Sequence, residues 1–127
     1  MRIVVDTNRY RDFCDNVPEA LKIFQRAERI VIPFVVLAEL KAGFMSGGRS
    51  RENEKVLNSF LNRSRVITLF ADEQTTFHYA RLFFQLRSQG TMIPVHDIWV
   101  AALAVQHGLH LFSRDSHFEH LPQIPRL

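Results

Sequence analysis

Four carboxylates stand in neighbourhoods that ordinarily exclude charge. Asp6 closes the apolar run Ile3-Val4-Val5, and Glu39 interrupts Phe34-Val35-Val36-Leu37-Ala38 and Leu40. Asp97 opens the stretch Ile98-Trp99-Val100-Ala101-Ala102-Leu103-Ala104-Val105, and Asp115 follows Leu109–Phe112 by three residues. Acids are seldom buried unless they are paired or bound to a cation. If all four converge, their mutual repulsion calls for a cation. A donor set of carboxylate oxygens, without a His/Cys cluster, favours magnesium or manganese over zinc. Each acid also has a plainer reading. Asp6 can cap a helix, Glu39 can pair with a buried arginine, Asp97 can cap a helix N-terminus favoured by the dipole, and Asp115 can be a turn residue. The joint pattern is what favours chemistry.

The elements that must carry these residues alternate. Arg2–Val5, Arg29–Ile32, Arg65–Leu69 and Leu109–Phe112 are short runs rich in apolar and β-branched residues, and are expected as strands. Helices are expected over Pro18–Arg29, Phe34–Met45, Glu52–Asn62, from Asp72-Glu73 to about Gln89, and over Pro94–His107. Pro18 sits near the first turn of its helix, and Gly90 and Gly108 stop the last two. Asp6-Thr7-Asn8 is expected to cap a helix or make a turn. Strands alternating with helices imply an α/β fold with a parallel sheet. Ligands of such sheets sit beyond the C-terminal strand ends, where Asp6 and Asp115 fall.

The chain has 127 residues and reads as a single domain, 1–127, with no repeat or linker. The lone cysteine, Cys14, cannot form an internal disulfide, which suits a cytoplasmic protein. No apolar stretch approaches the length of a membrane span, and the short N-terminal apolar run is not a signal peptide. Of sixteen basic residues thirteen are arginine, and the net charge is +3, a modest pointer to phosphate-bearing partners.

The ordered fragments Val5-Asp6-Thr7-Asn8, Val36-Leu37-Ala38-Glu39-Leu40, Ile93-Pro94-Val95-His96-Asp97 running into Ile98–Ala102, and Leu111-Phe112-Ser113-Arg114-Asp115 with Phe118 span nearly the whole chain. Together they resemble the PIN-domain nucleases, and among them the short VapC-type toxins of toxin–antitoxin pairs. The resemblance implies a three-layer α/β/α sandwich around a parallel sheet. It implies a magnesium- or manganese-dependent endoribonuclease with metal ligands at Asp6, Glu39, Asp97 and Asp115, the last being the least constant position in the family. It also implies an antitoxin partner, an RNA substrate and a homodimer. Asn8 would lie close to the metal, and Ser113 stands where the family often has threonine. The alternative is a non-catalytic PIN-like RNA-binding or scaffold protein, which predicts a missing or misplaced acid.

Four arginines are candidates for RNA contact. Arg9 follows the first motif and is expected to face outward or reach RNA. Arg49 and Arg51 flank the segment after Gly47-Gly48, and Arg114 adjoins Asp115. His96, beside Asp97, is expected to make a structural hydrogen bond, with proton shuttling as the other reading. His78, His107, His110, His117 and His120 show no metal-ligand spacing. Phe77, Phe83 and Phe84 point from one helix at more than one angle, too many for one buried face, so part of this surface is expected to meet a second subunit or an antitoxin.

Overall fold

A computed structural model describes residues Met1–Leu127. Four strands form one sheet in the order β3-β2-β1-β4: β1 (Arg2–Val5), β2 (Arg29–Pro33), β3 (Val66–Leu69) and β4 (His110–Phe112). All pairings are parallel, with Ile3 opposite both Ile30 and His110. Between them lie α1 (Thr7–Cys14), α2 (Pro18–Arg26), α3 (Phe34–Ser46), α4 (Ser50–Leu61), α5 (Glu73–Gln89) and α6 (Val95–His107), and a 3-10 turn, Ser116–His120, follows β4.

The layering follows from the order of crossovers. The chain steps outward from β1 to β2 to β3, then returns across the sheet to β4 on the other side of β1. Parallel crossovers are right-handed. The two directions of travel therefore place α1–α4 on one face and α5–α6 on the other, giving the expected three-layer α/β/α sandwich. Ile3, Val4 and Val5 of the central strand are wholly buried. Strand order reverses between β1 and β4, so the crevice of this sheet opens at their C-terminal ends.

The two faces are filled differently. On the first, Phe13, Phe24 and Phe60 cluster with ring centroids 4.8–6.0 Å apart, and Tyr10 meets Phe60 edge-on. On the second, α6 is buried almost all round, and its small residues Ala101, Ala102 and Ala104 bring it close to its neighbours. Helix α5 packs on α6 and leaves Phe77 and Phe84 exposed, while Phe83 is partly covered.

The structure departs from the sequence reading at several boundaries. Helix α2 ends at Arg26 rather than Arg29, because Ala27 is extended and the chain turns directly into β2. Helix α4 begins at Ser50, two residues early. The stretch expected only as a cap or turn at Asp6-Thr7-Asn8 opens a full helix, α1, and the turn at Ser116–His120 was not expected at all. Gly90 and Gly108 do stop α5 and α6, each with the left-handed backbone that glycine adopts without strain. No helix is long and apolar enough to cross a membrane.

Candidate active site

The end of β1 delivers Asp6 beside the end of β4, and the backbone N–H of Asp6 donates to the Phe112 carbonyl at 3.1 Å. Asp6 does cap a helix, as its plainer reading held: Oδ1 accepts from the Thr7 N–H at 2.9 Å. Its other oxygen, Oδ2, accepts from the Ser113 hydroxyl at 2.7 Å. A carboxylate that is 4% exposed is thus fixed at both oxygens and still lies at the mouth of the crevice.

Ser113 ties the two strand ends together. Its hydroxyl oxygen accepts from the Asp115 N–H at 3.0 Å and from Asn8 Nδ2 at 3.4 Å, while Asn8 Oδ1 accepts from the Arg114 N–H at 3.0 Å. Asn8 therefore fastens the β4 loop to α1.

Asp97 enters from the other face. It lies in the first turn of α6 and is 5% exposed, but it makes no capping bond; Pro94 occupies the cap. The helix dipole favours a negative charge there. Asp97 Oδ2 lies 2.7 Å from His117 Nδ1, and the same nitrogen lies 2.9 Å from Asp115 Oδ1. Asp115 also starts the 3-10 turn by accepting from the His117 N–H at 3.0 Å. Arg126 holds this loop through the Asp115 carbonyl at 2.9 Å.

Glu39 differs from its expectation. Its neighbours are apolar, yet α3 buries only Val36 and Leu40, and Glu39 falls on the open flank with its side chain 47% exposed. It joins the cluster through His96, whose Nε2 lies 3.5 Å from Glu39 Oε2 and 3.9 Å from Asp6 Oδ1. At these separations the imidazole makes ionic contacts rather than hydrogen bonds, and its Nε2 is buried without a hydrogen-bond partner. The structural hydrogen bond expected of His96 is therefore absent at this atom.

The electrostatics fit a crowded acidic site. Burial pushes the Asp6 carboxyl up, but His96, the Ser113 hydroxyl and the Thr7 N–H outweigh it and hold the group below its usual value. Asp97 is raised, first by burial, against the hydrogen bond of His117 and with the charges of Asp6 and Asp115 adding to the rise. His96 is raised by the Asp6 carboxylate against its own burial, with Glu39 and Asp97 contributing. His117 is raised by Asp97 against burial, with Asp115 contributing. Two imidazoles thus occupy positions among carboxylates that a cation would favour.

The donor set suits a divalent ion. Asp6, His96 and Asp97 form one group, and Asp97, Asp115 and His117 a second, with the ligand atoms of each lying within 4.8 Å of one another. The buried, unpartnered His96 Nε2 marks the first group as one built around something other than the protein's own hydrogen bonds. The sequence reading missed the second imidazole. His117 lies two residues after Asp115 in a 3-10 turn, where no helical or strand period brings it to notice. The available signal was its place just before Phe118, which is fully buried and pins the turn.

Of the arginines, Arg9 does not face outward. Its side chain is 16% exposed, lies over the Phe112 ring at 4.6 Å, and donates to Asp12 Oδ2 at 3.1 Å. Arg114 grips the same carboxylate with two bonds, Nε to Oδ2 at 2.9 Å and an Nη to Oδ1 at 3.1 Å, and is 54% exposed. The buried acid Asp12 at i+3 from Arg9 is the reason, and sequence reasoning overlooked it. Arg49 pairs with Glu52 at 2.8 Å and Arg51 is exposed. Both follow the far end of α3, about 10 Å of helix beyond Glu39, so they flank the site rather than line it.

With this geometry established, the comparisons with known proteins give a consistent result. The PIN domain family matches residues 3–124. Ribonuclease VapC4 of Mycobacterium tuberculosis is 27% identical over 93 residues, covering 73% of this chain and 72% of that protein. Ribonuclease VapC2 of Rickettsia felis is 27% identical over 111 residues, covering 87% and 81%. Among solved structures, the DNA-bound VapBC of Salmonella typhimurium superposes with a TM-score of 0.88 at 24% identity, covering 100% of this chain and 97% of that one. VapBC-5 of M. tuberculosis, a member of the VapBC family of toxin–antitoxin systems, superposes with a TM-score of 0.76 at 26% identity, covering 100% of both chains. The match runs through the strand ends and the acidic helix turn that build the crevice: the chain belongs to the PIN-domain family.

Proposed function

We propose that this protein is the toxin of a toxin–antitoxin pair, an endoribonuclease that hydrolyses RNA phosphodiester bonds with magnesium or manganese held by Asp6, Glu39, Asp97 and Asp115. The observation that carries the reading is the convergence of these acids, from four separate elements, at the strand switch point of a PIN-domain fold. Relatives named as ribonucleases and neighbours solved as toxin–antitoxin complexes support it.

A bound divalent ion supplies Lewis acidity, which acidifies a water and offsets charge on the phosphate as the bond breaks. The rest falls to the chain. Asp6 is held rigid by Ser113 and Thr7, so its position does not change as charge develops. Asp97 offers a buried carboxylate at a helix N-terminus, and Asn8 and Ser113 lock the β4 loop that carries Asp115. Glu39 stands at the open side with access to water, where RNA would approach. The exposed part of Arg114, beside the site, is the arginine best placed to meet a phosphate.

The action belongs in the cytoplasm, where RNA and a newly made antitoxin meet. We also assign the α5 surface to a homodimer. Phe77 and Phe84 are 55% and 71% exposed there, and with Val105 they line one shallow groove. An apolar patch of this kind on an isolated chain is characteristic of an interface. Phe84→Glu is expected to convert the dimer to a monomer in light scattering, with the melting temperature of the monomer little changed; a dimer that persists would place the interface elsewhere.

The function itself is tested by incubating antitoxin-free protein with a mixed labelled RNA pool and a matched DNA pool. Cutting of RNA with magnesium or manganese, and none with a chelator, is expected. Folded protein that binds RNA without cutting under any metal would favour the scaffold reading, and cutting of DNA alone would replace the substrate class.

A further inference from the structure

The two donor groups share Asp97, and each contains one imidazole. That composition differs from an all-carboxylate site and bears on which ion is held and how many. His117 is the informative member. Its Nδ1 faces two carboxylate oxygens at once, Asp97 Oδ2 at 2.7 Å and Asp115 Oδ1 at 2.9 Å. Two ligands at right angles about 2.1 Å from an ion lie about 3 Å apart. Each of the two oxygens therefore already lies from the nitrogen at the spacing of neighbouring ligands on one octahedral ion. The side chain is also held for this: its backbone N–H is bonded to Asp115, Phe118 next to it is fully buried, and the imidazole remains 43% exposed toward the crevice.

We infer that His117 is a nitrogen ligand to a divalent cation, completing with Asp97 and Asp115 a second metal subsite that shares Asp97 with the site at Asp6. The inference rests on the proposed metal-dependent reading of the same crevice. An ion taking this place displaces the Nδ1 proton to solvent. Imidazole nitrogen favours first-row transition ions over magnesium, so the subsite selects manganese from a mixture of the two.

The test is pulsed electron paramagnetic resonance of the full chain loaded with Mn2+, which detects coupling to directly bound 14N, beside calorimetric titration with Mn2+ and Mg2+. Wild type and His96→Gln are expected to show the nitrogen coupling. On the His96→Gln background, His117→Gln, which keeps a hydrogen-bond donor for the two carboxylates but removes the imidazole, is expected to lose it. Its Mn2+ affinity is expected to fall on the order of tenfold, and its Mg2+ affinity by less. Circular dichroism melting verifies that the variant is folded. Mn2+ bound without nitrogen coupling, coupling that disappears in His96→Gln alone, or coupling that survives in the double variant overturns this inference and leaves the carboxylate site standing. Failure of folded protein to bind Mn2+ at all overturns both.

Discussion

Asp97→Asn is expected to abolish RNA cleavage while making the metal-free protein more resistant to heat. The two effects have one origin. Asp97 is buried, and its carboxyl is raised by that burial and by the nearby charges of Asp6 and Asp115, despite the hydrogen bond of His117. A group whose folded pKa lies above its unfolded value weakens the fold once pH has risen past both. Asparagine removes the charge and keeps the shape, so the variant gains stability at neutral pH. The gain is expected to vanish below the unfolded carboxylate pKa of about 4, where wild-type Asp97 is protonated in both states. Activity moves the other way. Loss of an outer partner of a metal site costs about 10–100-fold, and loss of the acid common to both donor groups is expected to exceed that range. Melting curves with chelator at pH 7 and pH 3.5, set beside the cleavage rate, check both halves. A variant less stable than wild type at pH 7 would mean that Asp97 serves packing rather than function.

The second large effect is structural. Asp12→Asn is expected to destabilise the protein by roughly 2 kcal/mol at neutral pH, a fall in melting temperature of roughly 8 °C. Asp12 is 8% exposed and takes three bonds from Arg9 and Arg114. Removing its charge leaves the largely buried Arg9 guanidinium short of a partner, while the half-exposed Arg114 can turn to water. Burial raises the Asp12 carboxyl, but Arg114 and Arg9 outweigh it and hold it below the usual value. The contribution is therefore fully present above the unfolded pKa of about 4 and is lost as pH falls through the lower folded value. The difference between variant and wild type should shrink accordingly as acid is added. Arg114 also sets the loop that carries Asp115, through its N–H to Asn8, so metal affinity should weaken with stability. Equal melting of the two proteins at pH 7 would show the Asp12 network to be solvated and idle.

What the sequence disclosed follows from physical period. The strands were legible because Ile3-Val4-Val5 and Ile30-Val31-Ile32 are continuous apolar runs fit for the interior of a parallel sheet. From the strand ends Asp6 and Asp115 could be placed on one edge, whereas Glu39 and Asp97 reached it only on the condition that their helices carried them there. Helix α1 was not legible because its buried residues are Thr7, Tyr10 and Asp12; two of the three are polar, and no apolar stripe announces them. The same buried Asp12 explains why Arg9 turns inward, which a reading of Arg9 alone could not reveal. Glu39 shows the converse: apolar neighbours in sequence mark a helix that is half buried, not a buried acid. His117 was hidden because a 3-10 turn has no long period, and its one distant partner, Asp97, lies on α6.

The end groups of the cleaved RNA test the central claim most directly. Hydrolysis by a metal-activated water is expected to leave a 5′-phosphate and a 3′-hydroxyl, and to proceed when the nucleotide before the cut lacks its 2′-hydroxyl. Attack by the RNA's own 2′-hydroxyl would leave a 2′,3′-cyclic phosphate and a 5′-hydroxyl, and would stop at a 2′-deoxy position. Fragments labelled at either end and resolved by mass spectrometry distinguish the two. Phosphate at the 5′ end, lost with chelator, is the result the acidic crevice predicts; a cyclic phosphate that persists with chelator would contradict it.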